Sequence, residues 1–129
     1  MKFGRFELQG KTFFGLVEGD QVVELDGSPF ESWKATTRKH ALAALTLRIP
    51  CVPSVFYCAG FNYLAHIEWG NKRKGTNVKA PEKADIGYRT NNALIASGET
   101  IVIPADSPGP VQFEGELVAV IGKTARNMT

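Results

Sequence analysis

Hydrophobic and polar residues alternate along the first 25 positions. Phe3, Phe6 and Leu8 interleave with Lys2, Arg5 and Glu7, and the same two-residue period returns after each turn. That period predicts three strands in an antiparallel meander, Lys2–Leu8, Lys11–Val17 and Gln21–Leu25. Gln9-Gly10 and Glu18-Gly19-Asp20 supply the backbone freedom that tight connections need. Asp26-Gly27-Ser28-Pro29 reads as a loop. Over Thr37–Leu47 the pattern changes: Leu42, Leu45 and the alanines form an apolar stripe that predicts a short helix. Pro50 and Pro53 then bracket a linker, because proline disfavours helix at its own position and just before it.

A second unit opens with Val55–Ala59, a short buried strand ended by Gly60. Residues 61–85 are polar and predict a helix and then a loop. Short strands are expected at Ile86–Tyr88, Ala93–Ile95 and Thr100–Ile103, interrupted by Ser97-Gly98 and by residues 104–110. Leu117–Ile121 is a continuous apolar run closed by Gly122, the pattern of a strand buried on both faces. The expected organisation is a small amino-terminal β domain over residues 1–50 and a second domain over 51–129. No internal repeat or low-complexity segment is present.

Glu114 and Glu116 carry the most chemistry. If Leu117–Ile121 is a strand that extends back through Phe113, both glutamates point to the face that takes Val118 and Val120. Side by side at the mouth of a buried strand, they would repel each other and lose hydration. A hard divalent cation relieves both costs, since Mg²⁺, Mn²⁺ and Ca²⁺ take oxygen ligands. The alternative is an exposed strand end with both carboxylates hydrated. A metal site requires the two side chains to converge on one concave face.

Composition narrows the remaining choices. The chain has 129 residues, 43% hydrophobic and 22% charged, the balance of a soluble globular protein. A net charge of +2 is too small to mark a nucleic-acid surface. No apolar stretch approaches the roughly 20 residues of a membrane span. Cys51 and Cys58 make neither a disulfide framework nor a zinc pattern, and both are expected to be buried free thiols. A cytoplasmic location is the resulting expectation. Lys72-Arg73-Lys74 reads either as a solvated face or as a mobile lid whose cations attract a dianionic substrate. His40, inside the predicted helix, is given no role.

Three segments resemble one family. Phe56-Tyr57-Cys58-Ala59-Gly60-Phe61-Asn62-Tyr63-Leu64-Ala65-His66, then Asn92-Ala93-Leu94-Ile95, then Phe113-Glu114-Gly115-Glu116-Leu117-Val118-Ala119-Val120-Ile121-Gly122-Lys123 match the order and spacing of the fumarylacetoacetate hydrolase family. The front meander is similar to that family's small amino-terminal domain. The fold this implies is α+β and β-rich: an amino-terminal antiparallel meander and then the first part of a mixed β-roll. The resemblance also implies a homodimer for the full-length protein. Its members cleave carbon–carbon bonds in β-diketo acids such as acylpyruvates, and relatives decarboxylate, hydrate or isomerise 2-oxo acids.

On the resemblance, Glu114 and Glu116 match two of the ligands of a Mg²⁺ or Mn²⁺ ion, and His66 matches a histidine that helps activate water. Tyr63 and Tyr88, with the neighbouring Arg89, are expected to contact the substrate, Arg89 through its bidentate guanidinium. The metal would chelate the 2-oxo acid end and stabilise the departing enolate. Two departures stand out. Many members have a glutamate three residues after the histidine, and here that residue is Trp69; the nearest acid, Glu68, is two residues on. Positions two apart on a regular helix do not face each other, so a His66–Glu68 dyad needs an irregular turn. The sequence also stops before the family's third metal ligand, and Asp106 is a poor substitute. The expectation is therefore the front part of a metal-dependent hydrolase or lyase, inactive alone. Its alternative is a non-catalytic piece completed by a partner chain. Without the resemblance, His66 would read as a surface or capping histidine, and the tyrosines as packing residues.

Overall fold

The computed structural model describes residues 1–128. The chain divides into two compact units, Met1–Cys51 together with the chain from Ile95, and Val52–Leu94.

The first unit is built on a five-stranded antiparallel sheet. Its strands are β1 (Lys2–Leu8), β2 (Lys11–Glu18), β3 (Gln21–Gly27), β4 (Trp33–Ala41) and β5 (Thr46–Arg48), in the order β4-β3-β2-β1-β5. The alternation in the sequence places β1, β2 and β3 to within two residues. The β1–β2 turn closes with Gln9 and Gly10 both at positive φ, 50° and 78°, the twist that a two-residue hairpin demands. Phe6 and Val22 are fully buried, with Val23 and Leu25 beside them. The register brings Gly4 opposite Gly15, and Phe6 opposite Phe13. A methyl group at Gly4 would sit 2.5 Å from Cζ of Phe6, and one at Gly15 would collide with Val22 and crowd the same ring. The two glycines leave the space that this phenyl group fills. At the β5 edge the contacts are ionic: Arg48 pairs with Glu7 at 2.9 Å and Glu99 at 3.2 Å, and Glu99 also accepts the Ala96 N–H at 2.8 Å.

The predicted helix over Thr37–Leu47 is not formed. Residues 37–41 belong to β4, Leu42–Ala44 make a single 3₁₀ turn, and β5 comes next. Hydrogen bonding to β3 outweighs the local apolar stripe, a tertiary override of a short periodic signal. The pairing contains a bulge: Val23 pairs with Lys39 and Leu25 with Ala35, so Glu24 alone faces residues 36–38. Thr36 Oγ1 fills the gap by donating to the Glu24 carbonyl at 2.8 Å.

The bulge assembles an ion cluster. The Glu24 carboxylate lies 2.6 Å from Arg38 Nη2 and 3.1 Å from His40 Nε2, and the His40 ring sits 5.2 Å from that of Phe13. The hydrogen bond from Arg38, only partly opposed by burial and reinforced by His40, lowers the Glu24 pKa from 4.5 to about 2. A carboxyl depressed in the folded state stabilises fully above its unfolded pKa and loses that contribution as pH falls through the folded one. Stability should therefore fall between pH 4.5 and about 2. The Arg38 side chain is 58% exposed, so solvent screening limits the Glu24 share to about 1 kcal/mol. Urea denaturation of the parent and of Glu24→Gln across this window is expected to show converging midpoints at the acid end. Parallel curves would assign no such role to Glu24.

The second unit carries a two-stranded antiparallel sheet, β6 (Phe56–Gly60) with β7 (Asp85–Arg89), and one helix, α1 (Leu64–Lys74). The predicted strands Val55–Ala59 and Ile86–Tyr88 correspond to β6 and β7, and the predicted helix and loop to α1 and residues 75–84. Ala93–Ile95 does not form a strand; Asn91–Ala93 is a 3₁₀ turn. Neither Thr100–Ile103 nor Leu117–Ile121 is a strand, and residues 111–128 are exposed and irregular. No described strand pairs with either segment. A strand forms only where a neighbouring strand completes its ladder, which a local apolar run does not supply by itself. Cys51 and Cys58 are free thiols, half-buried rather than buried. Among the described residues no helix is long and apolar enough to cross a membrane.

Candidate active site

β6 delivers the chain to the motif residues through a strained step. Phe61 has φ 49°, a left-handed conformation unfavourable for a bulky side chain. Immediately after it, Asn62 and Tyr63 lead into α1. Tyr63 occupies the N-cap, and its carbonyl accepts the amides of His66 (3.0 Å) and Ile67 (3.1 Å). Ile67 is the helix residue buried in the core, while His66, Glu68 and Trp69 are exposed. The helix is regular from Leu64 to Lys74, so no irregular turn brings Glu68 round to His66. Two residues correspond to about 200° of helical rotation, which sends the two side chains to opposite sides.

The group that does meet His66 is Trp69. Their ring centroids are 5.7 Å apart with planes at 37°, and Arg73 Cζ lies 5.3 Å from the indole centroid. Lys72, Arg73 and Lys74 form the last turn of α1, where cations complement the negative end of the helix dipole. Gly75, at φ 65°, caps that turn through its N–H to the Asn71 carbonyl. Asn71 then secures the loop beyond the cap. Its Oδ1 accepts from Thr76 Oγ1 (2.9 Å) and the Val78 amide (2.8 Å), and its Nδ2 donates to the Val78 carbonyl (2.8 Å). The basic triplet is the exposed end of a capped helix followed by a hydrogen-bonded loop, an arrangement in keeping with a solvated face.

On the sheet of this unit, Tyr88 of β7 stands directly opposite Tyr57 of β6, with ring centroids 5.0 Å apart. Repulsion between the two phenolates, then a hydrogen bond to Tyr88, raise the Tyr57 pKa. Tyr88 is 74% exposed, so it is not a core residue; its ring packs on Tyr57 at the open face of the strand pair. Arg89 donates to the Tyr88 carbonyl at 3.1 Å and is otherwise turned to solvent. Neither Tyr57 nor Asn71 stands out in the sequence as a site residue. Cross-strand alternation around β6 could have flagged Tyr57; nothing local marks Asn71.

Glu114 and Glu116 belong to the first unit, and His66, Glu68, Tyr63, Tyr88 and Arg89 to the second. Both glutamates are exposed, on irregular backbone. The shared strand face expected for them is therefore absent, because the strand that would create it is not formed. Among the described residues no group of three or more His, Cys, Asp or Glu side chains could hold a metal ion. A pair of carboxylates is a donor set that Mg²⁺ accepts when water and substrate supply its other oxygens, so the chemistry of Glu114 and Glu116 fits such an ion.

The fumarylacetoacetate hydrolase carboxy-terminal domain profile matches residues 55–129, and a profile described as Rv2993c-like, N-terminal, matches residues 1–50. The chain belongs to the fumarylacetoacetate hydrolase family. Protein Rv2993c of Mycobacterium tuberculosis is 30% identical over 136 residues, covering 99% of this chain and 48% of its own length. An uncharacterised protein of Archaeoglobus fulgidus is 29% identical over 97% of this chain and 44% of its own. The chain thus spans about half the length of these relatives. Among solved structures, an uncharacterised protein of Mycobacterium abscessus superposes with a TM-score of 0.65 at 27% identity, covering 82% of this chain and 40% of that one. The 5-carboxymethyl-2-hydroxymuconate delta-isomerase of Mycobacterium smegmatis does so with a TM-score of 0.57 at 29% identity, over 74% and 35%. The mostly antiparallel, helix-poor architecture of the described residues is similar to that of these family structures.

Proposed function

We propose that this chain supplies the amino-terminal domain and the front of the catalytic domain of a metal-dependent hydrolase or lyase of 2-oxo or β-diketo acids. One observation carries the reading. The match to the fumarylacetoacetate hydrolase profile, residues 55–129, spans both motif segments, Gly60 to His66 and Phe113 to Lys123. In this reading His66 deprotonates a water, a task suited to an imidazole near neutral pH. Tyr63 and Tyr88 line the substrate, and Arg89 holds its carboxylate. Glu114 and Glu116 are two of the ligands of Mg²⁺ or Mn²⁺, completed by a carboxylate from outside residues 1–128. Glu68, turned away from His66, serves in this scheme only through a rearranged helix. The likeness to a hydroxymuconate isomerase keeps isomerisation beside carbon–carbon cleavage as the reaction. A small-molecule acid is the partner, in the cytoplasm, with a homodimer as the assembled form.

A second reading is favoured by the exposure of residues 111–121, where Phe113 is 98% and Leu117 91% exposed. It makes the chain a non-catalytic piece whose missing strands come from a partner chain. Turnover separates the two. The chain alone should not consume acylpyruvate with Mg²⁺ present. Supplied in trans with the remaining portion of a relative such as Rv2993c, it should do so. His66→Ala or Glu116→Ala should then lower the rate by about 10²-fold or more. A well-folded assembly without turnover leaves the second reading. Turnover by the chain alone, lost in Glu116→Ala, would mean that these residues complete the metal site themselves.

A further inference from the structure

His66, Trp69 and Arg73 fall at positions i, i+3 and i+7 of α1, within about 60° of one another around the axis. They form a continuous stack: imidazole against indole, indole beneath guanidinium. All three lie outside the buried side of the helix, which is marked by Ile67. Trp69 makes this contact through its ring, and no hydrogen bond engages either imidazole nitrogen among the described residues. The stack therefore limits the orientation of the His66 ring while leaving both nitrogens open. A carboxylate at position 69 would instead bind one nitrogen and select a tautomer.

We infer that Trp69, steadied by Arg73, is the positioning residue for His66, holding its imidazole by ring contact in place of an acid partner. The inference rests on the reading of His66 as the base. Trp69 touches no substrate in this scheme and acts only through the histidine. Arg73 fixes the indole plane by the attraction of a cation for the face of an aromatic ring.

NMR of the full 129-residue chain, in a Leu117→Lys, Val120→Lys background chosen to keep it monomeric, tests the contact directly. The His66 ring protons should show the upfield displacement of protons near an indole. Trp69→Ala should abolish it, Trp69→Phe should retain part of it, and Arg73→Ala should weaken it without removing the ring. Trp69→Glu places a carboxylate at the same position and should raise the His66 titration midpoint by about one unit relative to the parent. Undisplaced His66 signals, or a midpoint unmoved in Trp69→Glu, would overturn the inference. These readouts do not depend on turnover. In a preparation that turns over acylpyruvate, Trp69→Ala should lower kcat about tenfold with KM little changed, and Trp69→Phe should recover most of it. If His66→Ala abolishes turnover and Trp69→Ala does not alter it, the positioning role falls alone. If His66→Ala leaves turnover intact, the proposed function of His66 falls and the positioning role with it.

Discussion

Phe6→Ala is expected to cost about 3–5 kcal/mol, most of the stability available to a small domain. Phe6 is completely buried, and the other fully or nearly buried side chains of the sheet are Val22, Val23 and Leu25. Removing the ring empties the space above two facing glycines, which have no side chains to move inward. The backbone of β1 and β2 is fixed by a seven-residue register and cannot collapse into the void. The cavity term should therefore be near its maximum. Phe3→Ala is the control, because Phe3 is partly exposed and only edges against Trp33 at 5.3 Å. Equilibrium urea unfolding should show Phe6→Ala with a lost or strongly shifted transition and Phe3→Ala with a small shift. Equal shifts would mean that the sheet is not organised around this ring.

The second large effect is association. Ile101, Val102, Ile103, Phe113, Leu117, Val118 and Ile121 are all exposed, in segments that join no sheet among the described residues. Leu117–Ile121 is uncharged and rich in β-forming residues, the composition that pairs with copies of itself. At micromolar concentration the purified chain is expected to scatter light as oligomers or aggregates. A double substitution, Leu117→Lys with Val120→Lys, should restore a predominantly monomeric species. A sharp monomer peak with cooperative thermal unfolding of the parent would show that these residues close their own core.

The parts of the fold legible in the sequence are those set by neighbours. β1, β2 and β3 are given by alternation plus turns whose residues tolerate positive φ. β6, α1 and β7 are likewise bounded by local signals, Gly60, Gly75 and the polar stretch between. β4 is hidden in the sequence because its stability comes from β3, and the stripe Leu42 to Leu45 mimics a helix that yields only a 3₁₀ turn. The Glu24–Arg38–His40 cluster is hidden for the same reason: residues 14 and 16 apart meet only through a bulged register. For the candidate site, the motif identifies His66, Glu114 and Glu116 but not their surroundings. Side-chain alternation on a strand is a sound inference only where a strand exists, and among the described residues Leu117–Ile121 joins no sheet. The replacement of an acid by Trp69 is visible in the sequence; the contact that gives it meaning is not.

The facing glycines of β1 and β2 also bear on how this sheet can drift in sequence. Positions 4, 6, 15 and 22 share one volume, so none can vary by itself. A methyl at 15 demands both a smaller residue at 22 and a displaced or smaller ring at 6. Conversely, a loss at 6 is repaired only by gaining bulk at 4 or 15. Substitutions here should be strongly non-additive, with pairs tolerated that fail singly. Any working variant of this domain must therefore cross between packing solutions in concerted steps rather than by single exchanges.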